Sequence, residues 1–325
     1  MVDFLSDMEC ETRALLEQYR VKYKSKDDLH TLLVKLYTFL EKYIAPQKRG
    51  VFLSRELIEK IPTLRKKEQI ALEKLQEWTE NGEDINGFQS RGLHGNGSRD
   101  YQNMLYGVVH LHLTATSDDE VPAIKKDGMA KPGEYILIAK FTPNCAYYID
   151  VIKHPEKKDT EWTSKSTLVI LANNWPQLIE GQKLTGMTLC LADGTEIQQN
   201  DIMIHQLTTN HINTAIKIGD DLYIPYCPIS SSGHSGQAVM KADKTIKEVR
   251  ILQNHYQNNK DSIETEKAQL LRSNNKHIPA QSDVHLEYFP ELKEFCVFDR
   301  ASKVAWAYRS KQLYLFEEQQ TSVNL

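Results

Sequence analysis

Apolar residues alternate with histidines, at a period of two residues, in one short stretch of the chain: Val108-Val109-His110-Leu111-His112-Leu113. Successive side chains of a β-strand point to opposite faces of a sheet, so this pattern predicts a strand with one face in the core. The valine and leucines at odd positions then pack inward. His110 and His112 project together from the other face, which on this pattern need not be packed.

Further strands are predicted on both sides of this stretch. Two runs of strand length, 135–141 and 146–152, are separated by the polar link Thr142-Pro143-Asn144-Cys145, which predicts a hairpin. Other runs with strand composition lie at 167–172, 183–191, 221–226, 284–288, 295–299, 304–309 and 313–316.

Helices are predicted at the front of the chain and again after residue 236. Apolar residues in 29–43 recur at spacings of three and four, which is typical of an amphipathic helix that begins after Asp27-Asp28. Pro62 interrupts the helical run 52–78, because proline lacks the N–H that a helix needs. The segment 237–258 predicts another helix, whereas 258–279 is polar and is predicted as a loop.

These elements predict an α+β fold: an N-terminal helical part, then a mainly antiparallel β-rich domain with flanking helices and a C-terminal β-hairpin region. We divide the chain into a helical domain (1–80), a glycine-rich linker or loop (81–103), a β-rich candidate catalytic domain (104–230), and a helix with C-terminal strands (231–325). The last segment can belong to the same domain as the third.

Composition excludes several classes of protein. The 325 residues carry a formal net charge of −4, which excludes a globally basic nucleic-acid coat but leaves room for a local basic groove. No run of 18 apolar residues occurs, so no membrane span and no membrane partner are expected. The acidic start disfavours a secretory signal. The five cysteines form no CxxC pair, so we expect a reducing, cytoplasmic location.

Histidines carry the strongest chemical signal in the sequence. Two imidazoles on one strand face can share acid and base duties, and His110 and His112 are our candidates. A second predicted strand leads to His154, and its Asp150 is of the kind that orients a histidine. We therefore predict a catalytic set of four residues: His110, His112, Asp150 and His154.

Four other residues are candidates for substrate binding. Arg99 and Lys140 can hold a phosphate, Arg99 from the glycine-rich loop and Lys140 from an otherwise apolar strand. Tyr148 shares the predicted strand face of Asp150. Ser235 ends a Ser/Gly-rich loop before a helix, where free N–H groups can bind an anion; alternatively it only caps that helix.

Three segments resemble uncharacterised prokaryotic proteins of toxin or phage-defence type: 105–113, 149–154 and Asn173-Asn174-Trp175-Pro176. The resemblance extends over 99–240, and the helical front followed by a sheet with His, Lys, Arg and Tyr is similar in kind to RelE-like ribonuclease toxins. It implies an endoribonuclease whose substrate is RNA or another nucleic acid.

The sequence thus predicts a metal-independent nuclease without a cofactor. One alternative is a metal-dependent hydrolase that binds a divalent ion such as zinc or manganese through His110, His112, Asp150 and His154. Another is a non-enzymatic binding module or regulator, in which the N-terminal helices contact a protein partner and the histidines are structural.

Overall fold

The computed structural model describes residues 2–95, 100–114, 128–156, 158–289, 294–307 and 312–316. Its helices and strands have an α+β arrangement, as predicted. The helices are α1 (Phe4–Gln18), α2 (Leu29–Leu40), α3 (Arg55–Lys60), α4 (Lys66–Asn81), α5 (Tyr101–Tyr106), α6 (Ser166–Asn174), α7 (Asp201–Thr209), α8 (Gly236–Asn258) and α9 (Lys260–Ser273). Short 3-10 turns lie between several of them, as at Ile61–Thr63 and Thr160–Thr163.

The strands form three sheets. Strands β1 (Gly50–Leu53), β2 (Val109–Leu113), β3 (Tyr135–Phe141) and β4 (Cys145–Lys153) form the sheet β1-β4-β3-β2, in which only the β1–β4 pair is parallel. A small antiparallel sheet, β5-β7-β6, contains β5 (Lys183–Leu184), β6 (Ile216–Ile218) and β7 (Asp221–Tyr223). The C-terminal antiparallel sheet, β11-β10-β9-β8, contains β8 (Val284–Phe289), β9 (Glu294–Asp299), β10 (Val304–Ala307) and β11 (Gln312–Leu315).

The chain forms two compact units. One contains Met1–Leu36 and Met240–Leu325, and the other contains Tyr37–Val239. The boundaries at 80, 103 and 230 that composition suggested do not coincide with these units, and as domain limits they stay predictions. In the described residues, no helix combines the length and the apolar content that crossing a bilayer requires.

The four-stranded sheet is buried on both faces. One face carries Val109, Leu111, Leu113, Leu137 and Val151, which pack against α3 and α4. On the other face, isoleucines of β3 and β4 pack against residues of α5, α6 and α7. The leucines of β2 lie on the face that packs against α3 and α4. His110 and His112 therefore point to the opposite face of the sheet, the one that packs against α5, α6 and α7.

Some predicted elements differ from the structure. The run 167–172 is part of helix α6, whose buried residues Thr167, Leu168, Ile170 and Leu171 follow the helical spacing. The segment 258–279 contains helix α9 rather than a loop. Strand β1 was missed, because four residues between a proline-containing turn and a helix carry little periodic signal. The restart at Pro62 and the hairpin before β4 are confirmed.

Candidate functional site

A cavity of about 560 Å³ opens beside the histidine face of β2. Its walls come from the chain after α2, the loop before α5, strand β2, and the segment after β4. We call it the histidine cavity and define it by six of its residues: Lys42, Gln89, Asp100, His110, His154 and Trp162.

The sheet register brings three histidines together. His110 lies opposite Ile138 on β3 and His112 lies opposite Ile136, so both imidazoles occupy one face. Their ring centroids are 5.9 Å apart. His154 follows the last residue of β4, and its ring stacks on that of His112 with 5.1 Å between centroids and 6° between planes. The predicted approach of His154 to the pair is therefore confirmed.

The imidazoles are buried rather than exposed. His112 is 5% exposed, and the side chain of His110 is 11% exposed. The expectation that their face is unpacked is wrong, because Trp162 covers it: the Trp162 ring lies 5.2 Å from that of His110 and 5.6 Å from that of His154. The Trp162 indole is itself fixed by a hydrogen bond from Nε1 to the Glu156 carbonyl (2.7 Å).

Two of these buried nitrogens have no hydrogen-bond partner among the described residues. They are Nδ1 of His110 and Nδ1 of His112. In contrast, Nδ1 of His154 lies 2.9 Å from the Pro155 carbonyl, to which its N–H donates, and in the neutral ring this leaves a lone pair on Nε2. Buried polar atoms are normally satisfied, so the unsatisfied Nδ1 of His110, which lines the cavity, indicates a place where a ligand or water donates or accepts.

Burial keeps two of the imidazoles neutral near pH 7. It lowers the pKa of His112 to about 4, and the neighbouring His110 and His154 add to the effect. Burial also lowers the pKa of His110, although Asp100 opposes this shift. The two groups face each other, with His110 Nδ1 4.0 Å from Asp100 Oδ2. An anion that enters the cavity would favour the protonated forms.

Lys42 supplies a cation that the sequence analysis did not identify. It lies just after α2, is 5% exposed, and lines the histidine cavity. Burial lowers its pKa, and the carboxylate of Asp100 acts against this shift. The available signal was a lysine inside the largely apolar segment 32–44. Such a lysine lies on the solvent side of a helix more often than in a site, so the pattern alone could not select it.

Asp100 is placed by its role as a helix cap. Its Oδ1 accepts a hydrogen bond from the Asn103 N–H (3.1 Å) at the start of α5, which fixes the carboxylate beside β2. The sequence analysis placed this position in the glycine-rich linker or loop (81–103) and gave it no role. The cap explains why this part of the loop is ordered against the sheet.

Two predicted residues of β4 lie apart from the histidines. A β-bulge in β4, opposite Ile138 and Ala139, interrupts the alternation that we predicted for 148–152. Tyr148 consequently lies in the core on the opposite face, where its hydroxyl is 2.9 Å from Thr79 Oγ1. Asp150 accepts a hydrogen bond from Lys60 Nζ (2.5 Å) instead of orienting an imidazole.

The remaining predicted residues are dispersed. Lys140 is buried, and its ammonium donates to the Tyr106 carbonyl (2.9 Å) and lies 4.4 Å from the centre of the Tyr226 ring. Burial lowers the pKa of Lys140 to about 8. Ser235 caps α8, as its Oγ accepts from the Ala238 N–H (3.1 Å). Arg99 lies outside the described residues. The functional roles of all three stay predictions.

The alternative metal site gains no support from the geometry. Among the described residues, no group of three or more His, Cys, Asp or Glu side chains is arranged to hold a metal ion. Asp150 is engaged by Lys60, and two of the three histidines are stacked ring on ring. A stacked pair does not direct two nitrogen lone pairs at one point, as metal ligation requires.

Comparisons with known proteins give no relative. No family model matches the chain, and no curated protein or solved structure does. What the protein does must therefore be argued from the histidine cavity itself.

Proposed function

We propose that the histidine cavity is the active site of an endoribonuclease that works without a metal ion. One observation carries the proposal: His110, whose buried Nδ1 has no partner among the described residues, lines a cavity that a buried lysine also lines. Phosphodiester cleavage needs a base, an acid and a cation near the phosphate, and this cavity offers all three. The predicted resemblance of 99–240 to toxin and phage-defence proteins and the predicted cytoplasmic location belong to the same proposal.

His154 is suited to be the general base. Its Nδ1–H is committed to the Pro155 carbonyl, so its Nε2 can accept a proton. In the proposed reaction His154 takes the proton of the ribose 2′-hydroxyl, and the 2′-oxygen attacks the adjacent phosphorus. The bond from phosphorus to the 5′-oxygen then breaks, which gives a 2′,3′-cyclic phosphate and a 5′-hydroxyl.

His110 is suited to be the general acid. Asp100 stabilises its protonated form, and the negative phosphate of a bound substrate adds to this effect. The imidazolium then gives its proton to the leaving 5′-oxygen. Lys42, which lines the same cavity, stabilises the charge on the phosphate oxygens.

His112 acts through its neighbour. It is not among the residues that line the cavity, but its ring stacks on His154. We therefore regard it as a positioning residue rather than the second catalytic histidine of the sequence-based hypothesis. Replacement of His112 should shift the pH profile of RNA cleavage. It should lower the cleavage rate less than replacement of His154 does.

The test is cleavage of labelled RNA and DNA by the purified protein, with and without EDTA. We expect cleavage of RNA in both conditions, a cyclic phosphate product detected by mass spectrometry, and no cleavage of DNA, which lacks the 2′-hydroxyl. His110→Ala and His154→Ala should each lower the rate by about 10²–10⁴. His30→Ala, a half-exposed histidine of the other unit, is the matched control.

Two outcomes would overturn the proposal. Loss of RNA cleavage on chelation, restored by zinc or manganese, would favour a metal-dependent hydrolase. Binding of RNA without any cleavage would favour a binding module.

A further inference from the structure

Gln89 on the wall of the histidine cavity is buried and has an unused hydrogen-bond acceptor. Its side chain is 6% exposed and lines the cavity beside Lys42. We propose that Gln89 reads the nucleobase next to the scissile phosphate by accepting a hydrogen bond from an exocyclic amino group. This inference rests on the proposed function and names the substrate class of the same site.

The amide of Gln89 is held in one orientation. Its Nε2 donates to the Lys42 carbonyl (3.0 Å) and to Asn86 Oδ1 (2.9 Å). A flipped amide would place its oxygen against these two acceptors, which is unfavourable. Oε1 of Gln89 accepts from no described residue, so the amide presents an oxygen and not an N–H to a ligand.

The partners of Gln89 are themselves fixed. Asn86 accepts from the Ile44 N–H (2.9 Å) and donates to the Ile44 carbonyl (2.7 Å), and it also donates to Asp84 Oδ1 (2.7 Å). Asn86 is 6% exposed, so this network exchanges little with water. A buried, fully bonded network of this kind preorganises the free acceptor rather than letting it adapt to any ligand.

The cavity has the size and the walls for a nucleoside. Its volume of about 560 Å³ lies within the range of ligand pockets, and Leu93, Tyr101 and Trp162 contribute apolar or aromatic surface. Aromatic side chains stack on the planar face of any base and do not choose between bases. Selection must then come from the polar groups on the wall.

Those polar groups favour a base whose edge donates. The Asp100 carboxylate is a second acceptor on the wall, since it lines the cavity with Gln89. An amino group offers two N–H donors, as in adenine, cytosine and guanine. Uracil presents two carbonyl oxygens on either side of its single N–H, and these would face the acceptors.

The first measurement uses the unmodified protein and a change in the ligand. Titration by calorimetry would compare adenosine 3′-monophosphate with purine riboside 3′-monophosphate, which differ only by the amino group. We expect the adenosine compound to bind roughly 10- to 100-fold more tightly, because a base-edge hydrogen bond in a dry pocket discriminates by this order.

The second measurement uses Gln89→Met, which keeps the side-chain length and removes the acceptor. In this variant the affinities for the two nucleotides should differ by no more than about 3-fold, mainly because the adenosine compound binds more weakly. The control is Gln69→Met, because Gln69 likewise donates from Nε2 to two acceptors, here the backbone carbonyls of Ile61 and Leu64, but does not line the cavity. Thermal melts would check that each variant is folded.

The outcomes separate this inference from the proposed function. Equal binding of the two nucleotides by the unmodified protein would overturn the inference, even if RNA is cleaved. Discrimination between them without RNA cleavage would overturn the ribonuclease and leave Gln89 as a base-reading residue. A preference for uridine 3′-monophosphate would also overturn the inference, since it would assign the acceptor to an imide N–H.

Discussion

Each unit contains a buried cluster of titratable side chains, and the two clusters differ in how far their hydrogen-bonding groups are satisfied. In the unit that contains the C-terminal sheet, Lys267 of α9 is 6% exposed and Asp299 of β9 is 3% exposed. Lys267 Nζ contacts Asp299 Oδ2 at 2.7 Å and Ser282 Oγ at 2.8 Å, and it also pairs with Glu264. At the histidine cavity, two buried nitrogens have no partner among the described residues: Nδ1 of His110, which lines the cavity, and Nδ1 of His112, whose ring stacks on His154.

The acceptor side of the first cluster is equally complete. Asp299 accepts from the Ser302 hydroxyl (2.7 Å), the Asp283 N–H (2.8 Å) and the Ala301 N–H (3.1 Å). Burial alone would raise the pKa of Asp299, but these hydrogen bonds and Lys267 outweigh it and lower the pKa. A buried charge cluster with every partner present holds structure together, whereas one with vacant hydrogen-bonding capacity is suited to bind.

The largest effect is expected when the complete cluster is broken. Lys267→Met leaves the Asp299 carboxylate buried without its cation, so the free energy of unfolding should fall by about 3–5 kcal/mol. Urea unfolding at pH 7 measures this loss. Lys276→Met, at an exposed position after α9, is the control and should change stability by less than about 0.5 kcal/mol. A small loss at Lys267 would mean that the cluster is solvated.

A smaller effect on stability is expected from the titration of His112, whose ring stacks on His154 of the histidine cavity. The pKa of His112 is about 4 in the folded protein and about 6.5 in an unfolded chain. Between these values the unfolded chain binds more protons, so stability should fall as the pH decreases from about 6.5 to 4, by up to about 3 kcal/mol from this group.

His112→Phe keeps a ring at this position and removes the titration. Its stability should therefore depend less on pH over that interval than the stability of the unmodified protein, as measured by urea unfolding at several pH values. Groups common to both proteins cancel in the difference. Parallel curves for the two proteins would show that His112 is not held neutral by burial.

The smallest effect on stability is expected when a lysine of the histidine cavity, Lys42, is replaced by methionine. Burial lowers the pKa of Lys42, which means that its charged form is disfavoured there. Lys42→Met relieves this desolvation, which offsets part of the cost of the contacts that the substitution removes, so we expect a smaller loss of stability than at Lys267 while RNA cleavage decreases. The measurement pairs urea unfolding with the cleavage assay. A loss as large as that at Lys267 would make Lys42 a structural cation and remove the contrast between the clusters.

The sequence predicted the parts of the site that depend on local periodicity. Alternation in β2 predicted that His110 and His112 share a face, and the sequence placed His154 at the end of a second predicted strand, where it joined the candidate set. The restart of the helix at Pro62 and the cap at Ser235 were also local, because each depends on the chemistry of one residue and its near neighbours.

Residues that enter the site from distant segments could not be predicted in this way. Lys42 and Gln89 reach the cavity through packing of the chain after α2 against the loop before α5, and no spacing in the sequence encodes that contact. The run 167–172 has the length and composition of a strand, so only its packing distinguishes helix α6 from one.

The β-bulge in β4 makes the length of this strand as important as its composition. Tyr148 and Val151, three residues apart, lie in one core, and Ile149 and Ile152 lie in the other. Deleting the extra residue at the bulge would restore plain alternation and leave the facing of the residues after it unchanged, whereas a one-residue insertion that no second bulge absorbs would reverse that facing, up to His154. Homologous chains with this site should therefore tolerate loss of the extra residue in β4 better than an insertion in this strand, and insertions should accumulate in the loops instead.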